Sequence, residues 1–348
     1  MNNSVPINER GASRRGGSLS RRTFLSAAVA APLVLRGGRA FADDALSVRV
    51  DFAPWGVHAP LHLSHAKGWF KEANLAVDLQ DGTGTLNTIN LVAAGSVDVG
   101  LVQLGPMAIA RGQGLPITSF AGFLRKCDLA VLVDAKTGPK TPKDLAGKKL
   151  ACFASSMWAP YIDNYIKRIG LTRGEGPNQV NVVMVSPVTM VPTYAAGGVD
   201  GFMSLKEFGA YVDETRPTHS FLTTDVGLSI PSYGFIATEQ TLQKKKDVLT
   251  RLAASQRKAW EYTFAAPEHI DEAAKATLAN RPDKQLNLTV IRKQVALMQE
   301  FLDTPSTKGK PIGWQSEEDW KDALALMVET GQIKDGTKPS AYYTNLIT

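Results

Sequence analysis

One six-residue pattern occurs twice in this chain. Residues 93–98 read Ala-Ala-Gly-Ser-Val-Asp, and residues 195–200 read Ala-Ala-Gly-Gly-Val-Asp. A turn of small residues precedes each copy and a strand-like run follows, so each copy predicts a loop, a helix ended by glycine, and a strand. Coincidence is the alternative, since Ala-Ala-Gly is common. If each of two lobes contains one such unit, the chain has an α/β fold with two equivalent helix starts. The unpaired N–H groups of these helix starts would then face a shared ligand cleft.

The first 42 residues have the construction of an export signal. An arginine-rich stretch leads to Ser20-Arg21-Arg22-Thr23-Phe24-Leu25, which resembles the twin-arginine consensus. The apolar run 24–35 is shorter than the ~20 residues that a membrane span needs. Ala40-Phe41-Ala42 then matches a small-x-small cleavage site. We expect a twin-arginine signal peptide over 1–42 and a mature protein in the periplasm; an amphipathic N-terminal helix is the alternative.

The net charge of +6 belongs to this leader. Residues 1–42 hold seven arginines and one acid, and the remaining chain carries equal numbers of basic and acidic side chains. A nucleic-acid partner is therefore not expected, because such proteins present a basic surface.

Strand and helix signals alternate through most of the remaining chain, which predicts an α/β architecture with parallel strands. After Glu239 the chain is rich in Ala, Leu and Lys and is broken by prolines, which predicts short helices. Cys127 and Cys152 are too few for a disulfide framework. We expect two free, buried thiols, with one disulfide as the alternative.

Several motifs together resemble a known family. They are Trp-x-x-His-Ala-Pro at 55–60, Ala-Lys-Gly-Trp-Phe-Lys-Glu at 66–72, the first copy of the repeat with its flanks at 92–100, Asp-Leu-Ala-Gly-Lys-Lys at 144–149, and the second copy at 195–200. These resemble the substrate-binding proteins of bacterial ABC importers for nitrate, sulfonate, taurine and thiamine-precursor pyrimidines.

The resemblance implies an α/β fold of the periplasmic-binding-protein type, type II, with two lobes joined by two crossovers. Lobe one would comprise 45–124 plus 232–348, and lobe two 125–231. Members of this family bind a small solute in the cleft and pass it to an ABC permease in the inner membrane. We therefore expect a monomer that binds without catalysis, cofactor or metal.

Candidate ligand-binding residues follow from this arrangement. In lobe one they are Trp55 and His58 after the first strand, the loop Gly82, Thr83, Gly84 and Thr85 at a helix start, Gln103 after a later strand, and Tyr233 near the return crossover. In lobe two they are Ser155, Ser156 and Trp158 at a helix start, Ser186 and Thr189 in the turn before the second copy of the repeat, and Glu207. Relatives often show Trp-Glu-Pro where this chain has Lys206-Glu207-Phe208. Packing or capping is the alternative role for most of these residues.

The aromatic candidates Trp55, Trp158 and Tyr233 favour a planar ligand, such as a pyrimidine or another small aromatic. A sulfonate or nitrate held by the two helix starts is the alternative ligand. A sensory partner in place of a permease is a further alternative.

An enzyme of thiamine pyrimidine synthesis is the alternative of a different class. Fungal relatives of this fold that make that pyrimidine carry a cysteine-rich iron-binding motif, whereas Cys127 and Cys152 stand alone. His58, His62 and His65 have a spacing that suits zinc, but Pro60 starts the helix after His58, and no carboxylate completes the set.

Overall fold

The computed structural model describes residues 44–347. The export signal expected over 1–42 lies outside the described residues. No helix within the described part of the chain is both long enough and apolar enough to cross a membrane.

Eleven strands within residues 44–347 form two sheets. The strands are β1 Asp44–Val50, β2 Leu75–Gln80, β3 Val99–Gln103, β4 Ile117–Leu124, β5 Leu129–Asp134, β6 Lys149–Cys152, β7 Thr172–Arg173, β8 Gln179–Met184, β9 Gly201–Leu205, β10 Thr218–Leu222 and β11 Tyr233–Thr238. The first sheet has the order β2-β1-β3-β11-β4, and the second has the order β10-β5-β9-β6-β8-β7. β1, β2 and β3 run parallel, as do β6, β8 and β9, and this confirms the α/β fold class.

The chain crosses between the sheets twice. It leaves the first sheet after β4, builds the whole second sheet, and returns from β10 to β11. β11 lies antiparallel between β3 and β4. Two crossovers of this kind are the connection expected of a type II periplasmic binding protein.

Helices cover the sheets and form the C-terminal part. They are α1 Ala59–Ala66, α2 Trp69–Glu72, α3 Thr85–Ala93, α4 Leu104–Gly112, α5 Ile162–Arg168, α6 Pro187–Ala195, α7 Glu239–Lys244, α8 Lys246–Ala265, α9 Pro267–Asn280, α10 Leu288–Met298 and α11 Glu317–Glu329. Short 3₁₀ turns precede α1 at Gly56–His58 and follow β9 at Lys206–Tyr211. α8 and α9 pack on α1 beside the first sheet, whereas α10 contacts both α9 and the 3₁₀ turn after β9.

The sequence repeat corresponds to a structural repeat. α3 and α6 both end before a glycine with positive φ, Gly95 and Gly197. The aspartate that ends each copy is hydrogen-bonded to the backbone of another strand in its sheet. The Asp98 carboxylate accepts a hydrogen bond from the Ser47 N–H at 3.1 Å, and the Asp200 carboxylate accepts one from the Lys149 N–H at 2.8 Å. The repeated aspartate therefore binds the backbone of another strand of its own sheet in both copies.

Cys127 and Cys152 are both free thiols and both buried. Burial raises the pKa of the Cys127 thiol to about 11, and its sulfur contacts the Thr223 hydroxyl at 3.4 Å. Cys127 is therefore a protonated core side chain at neutral pH.

Asp98→Ala should lower the free energy of unfolding by about 1–3 kcal/mol, because the Ser47 N–H and the Lys245 ammonium, 2.7 Å from the carboxylate, lose their acceptor. Urea denaturation measures the change. Glu175→Ala, at an exposed loop position, is the control and should change stability by less than about 0.5 kcal/mol. Equal losses in the two variants would contradict the assigned role of Asp98.

Candidate functional site

A cavity of about 430 Å³ lies between the two sheets. The first sheet contributes the chain after β1, the end of β3 and the start of β11, and the second contributes the chain after β6 and the end of β9. The cavity therefore lies beyond the carboxyl ends of parallel strands, where α/β proteins commonly bind ligands.

Nine of the predicted residues line this cavity. They are Trp55, Thr83, Gly84, Thr85, Gln103, Ser155, Ser156, Trp158 and Tyr233. Their roles toward a ligand stay predictions. The structure does bring Trp55 and Tyr233, which are 178 positions apart in the chain, into contact, with their ring centroids 5.6 Å apart.

Trp55 is the centre of an aromatic cluster. Besides Tyr233, its ring meets His58 and Phe208 edge-on, with centroids 5.9 and 5.5 Å away. Phe208 follows the second sheet's strand β9, so this cluster joins the two sides of the cavity. Only 2% of Trp55 is exposed, so the ring is a packed wall of the cavity as well as a candidate stacking surface.

Trp158 lines the opposite side. Its indole N–H donates to the Ser204 carbonyl at 2.9 Å, and its ring contacts Tyr165 edge-on. The indole nitrogen is thus already satisfied, which leaves ring surface as what Trp158 can offer a ligand.

Asp51 is the cavity residue that sequence reasoning missed. It directly follows β1 and is 4% exposed. Its Oδ1 accepts from His58 Nε2 at 2.9 Å, and its Oδ2 accepts from the Thr85 hydroxyl at 3.0 Å and the Tyr233 hydroxyl at 2.9 Å. Its position at the carboxyl end of the first strand could have indicated Asp51, because the same argument predicts Trp55 and His58 as site residues.

His58 does not line the cavity but lies behind Asp51. The Trp55 backbone N–H points at His58 Nδ1 at 3.3 Å, which assigns the proton to Nε2, the atom facing Asp51. His58 therefore acts as a neutral donor that orients the carboxylate.

The glycine loop before α3 is hydrogen-bonded to the backbone of the segment that follows β1. The N–H of Gly82 donates to the Phe52 carbonyl at 3.1 Å, and the N–H of Gly84 donates to the Asp51 carbonyl at 2.7 Å. A Cβ on Gly82 would lie 2.2 Å from the Val50 oxygen, and Gly84 has φ of 144°. Glycine is required here for close backbone packing, and Gly82 itself does not line the cavity.

Three further candidates lie outside the cavity lining. The hydroxyls of Ser186 and Thr189 contact each other at 2.8 Å, and the neighbours Pro187 and Met190 line the cavity instead. Glu207 is fully buried beside the lining residue Phe208.

Two buried acids lie where the crossovers pass. Asp128 precedes β5, and its Oδ1 accepts from the Ser232 hydroxyl on the return crossover at 2.6 Å. Burial raises the pKa of Asp128 to about 7, and burial followed by the charge of Asp128 raises the pKa of Glu207 well above its usual range. Among the described residues, Asp128 Oδ2 and both Glu207 carboxyl oxygens have no hydrogen-bond partner.

The three histidines of the α1 region have different surroundings. His58 bonds to Asp51, His65 is exposed, and His62 is fully buried with no partner for either ring nitrogen within residues 44–347. Burial is the main cause that lowers the pKa of His62 from 6.5 to about 3, and the charge of Arg281 acts in the same direction. No group of three potential metal ligands occurs in the part of the chain that the structure covers.

The chain has a fold of the periplasmic-binding-protein type, and comparison with solved structures agrees. The periplasmic aliphatic sulphonate-binding protein of Escherichia coli superposes with a TM-score of 0.64 over 86% of this chain and 91% of that protein, at 13% identity. The profile of the NMT1/THI5-like family matches residues 55–270. The chain belongs to this family.

Relatives of two kinds share sequence with the chain. The formylaminopyrimidine-binding protein of Halalkalibacterium halodurans is 23% identical over 299 residues, which span 82% of this chain and 86% of that protein. A 4-amino-5-hydroxymethyl-2-methylpyrimidine phosphate synthase of Saccharomyces cerevisiae is 28% identical over 129 residues, 37% of this chain and 38% of the synthase. The match to this binding protein thus spans most of both chains, whereas the match to the synthase spans less than half of each.

Replacing His62 by glutamine should make stability less sensitive to acid. The unfolded chain holds a proton on His62 below about pH 6.5 and the folded one only below about pH 3, so the folded state loses stability as pH falls through this interval. Between pH 7 and 5 the wild type should lose up to about 2 kcal/mol more than His62→Gln. Urea denaturation at both pH values measures the difference.

The control is His65→Gln, an exposed histidine on the same helix. Between pH 7 and pH 5, the free energy of unfolding of His65→Gln should fall by as much as that of the wild type. The account of His62 is wrong if the wild type and His62→Gln lose equal stability between these pH values.

Proposed function

We propose that this chain is a periplasmic substrate-binding protein that captures a small solute in the cavity and delivers it to an ABC importer. The observation that carries the proposal is the cavity itself, walled by strand ends from two sheets that are linked by two crossovers. The relatives that are binding proteins support it. The export signal proposed for residues 1–42 would direct the chain to the periplasm.

The lobes of this proposal are 45–124 plus 232–348 and 125–231. Ion pairs between the two lobes would hold them closed: Lys206 with Glu300, Lys293 with Asp213 at 3.1 Å, and Arg168 with Glu329 at 2.8 Å. These pairs are at least partly exposed, so each adds little energy and can exchange for water as the lobes part.

We propose a small planar ligand, a pyrimidine or another aromatic. The rings of Trp55, Trp158 and Tyr233 line the cavity, and the formylaminopyrimidine-binding relative is named for a ligand of this class. Binding without turnover is favoured over the synthase alternative, because the Cys127 thiol is buried and its pKa raised, which opposes a role as thiolate ligand or nucleophile.

Calorimetric titration of the mature chain with formylaminopyrimidine, 4-amino-5-hydroxymethyl-2-methylpyrimidine, taurine and nitrate tests the ligand class. At least one pyrimidine should bind, and the tryptophan fluorescence should change because Trp55 and Trp158 both line the cavity. Binding of taurine or nitrate alone would overturn the planar ligand, and chemical conversion of a bound pyrimidine would overturn the binding-only role.

Gln103→Ala should weaken pyrimidine binding about 3- to 10-fold, since the amide lies in the cavity wall and one hydrogen bond contributes on the order of 1 kcal/mol. Gln243→Ala, at an exposed position of α7 outside the cavity lining, is the matched control and should bind as the wild type does. Unchanged affinity in Gln103→Ala would remove this residue from the site.

A further inference from the structure

We propose that Asp51 makes the cavity selective for ligands that are neutral or cationic and present an N–H donor, and that the cavity rejects anions. This inference rests on the proposed function and names the charge class of its ligand. Four observations carry it.

The first observation is the hydrogen bonding of Asp51. The carboxylate accepts three hydrogen bonds, one at Oδ1 and two at Oδ2. An ionised carboxylate accepts about four, so one acceptor position remains, at Oδ1. Because Asp51 also lines the cavity, a ligand N–H can fill that position.

The second observation is that every donor to Asp51 is neutral. His58 carries its proton on Nε2 and accepts at Nδ1; Thr85 is a hydroxyl; and burial, then the charge of Asp51, raises the pKa of the Tyr233 phenol, which keeps its proton. The Asp51 carboxylate is thus hydrogen-bonded, but none of its three donors carries a positive charge that would neutralise it. A buried charge in this state is stabilised by an opposite charge brought by the ligand.

The third observation is the composition of the wall. Among the described residues that line the cavity, none is lysine or arginine, and Asp51 is the one acidic side chain. An anion would therefore meet a carboxylate without a cation to offset it, and like charges in one site disfavour binding.

The fourth observation concerns the donors expected for an oxyanion. The N–H groups of Gly82 and Gly84 already donate to the Phe52 and Asp51 carbonyls, and the Thr83 hydroxyl donates to Asn87 at 3.2 Å. Pro187 occupies the start of α6 and has no N–H. Asp128 and Glu207, buried nearby, add only negative charge when they ionise.

The ligand chemistry that fits is a planar ring bearing an amino, amide or amidine group. Its ring would lie among Trp55, Trp158 and Tyr233, and its N–H group would face Asp51. Benzamidine, benzamide and benzoate share one planar shape and differ in charge, so they test charge selection without changing the fit to the cavity walls.

Calorimetric titration of the mature chain with these three compounds is the test. Benzamidine should bind at least about tenfold more tightly than benzoate, with benzamide between them. Benzoate binding as tightly as benzamidine overturns the inference while leaving the proposed function intact, and so does failure of all three to bind while a pyrimidine from the panel above binds. Failure of every compound in both sets overturns the proposed planar ligand together with the inference.

Asp51→Asn removes the charge and should bring benzamidine and benzoate to within about threefold of each other. Asp78→Asn, an exposed carboxylate on β2, removes the same net charge outside the cavity and should preserve the full difference. Preserved selectivity in Asp51→Asn would overturn the role of Asp51. If that variant does not fold, the ranking of the three compounds on the wild-type chain decides the inference by itself.

Discussion

The Asp51 carboxylate joins the parts of the first sheet that build the cavity. It bonds to His58 before α1, to Thr85 at the start of α3, and to Tyr233 at the start of β11. Its backbone carbonyl also holds the N–H of Gly84. Segments far apart in sequence are thus fixed around one charge, and the wall presented to a ligand depends on that charge remaining hydrogen-bonded. A buried carboxylate held by several hydrogen bonds is fixed in place, and the loss of one of these partners is costly.

The other side of the cavity is built differently. Phe208 and Trp158 present ring surface from the second sheet, and Trp158 is anchored by its bond to the Ser204 carbonyl. Polar anchoring on one side and ring surface on the other suit a flat ligand with a donor at one edge. The crossovers pass close to this region, because Asp128 and Ser232 on the two connections are bonded to each other.

Much of the fold was predictable because it follows from local patterns of the sequence. The alternating strand and helix signals gave the α/β class, and the two copies of the repeat gave equivalent units, since Gly95 and Gly197 do end the helices and Asp98 and Asp200 do bond to neighbouring strands. The candidate site was predicted in part. Residues at strand ends and helix starts reached the cavity, because topology alone places them there.

Asp51 was missed because its importance comes from partners 7, 34 and 182 residues away, which no local pattern reveals. Gly82 illustrates the reverse error, since a glycine loop at a helix start also serves backbone packing, and only the structure shows that the Gly82 N–H already donates to the Phe52 carbonyl. The prediction for Glu207 rests on likeness to a tripeptide that this chain does not contain, and the Glu207 side chain is buried beside the cavity wall.

Native mass spectrometry of the freshly purified mature protein, followed by extraction of any bound molecule, tests the central claim most directly. The account predicts one small aromatic or heterocyclic solute with an N–H donor, released unaltered and in one-to-one ratio to the protein. Recovery of an anionic solute lacking such a donor, or of a solute chemically altered during incubation with the protein, would contradict it.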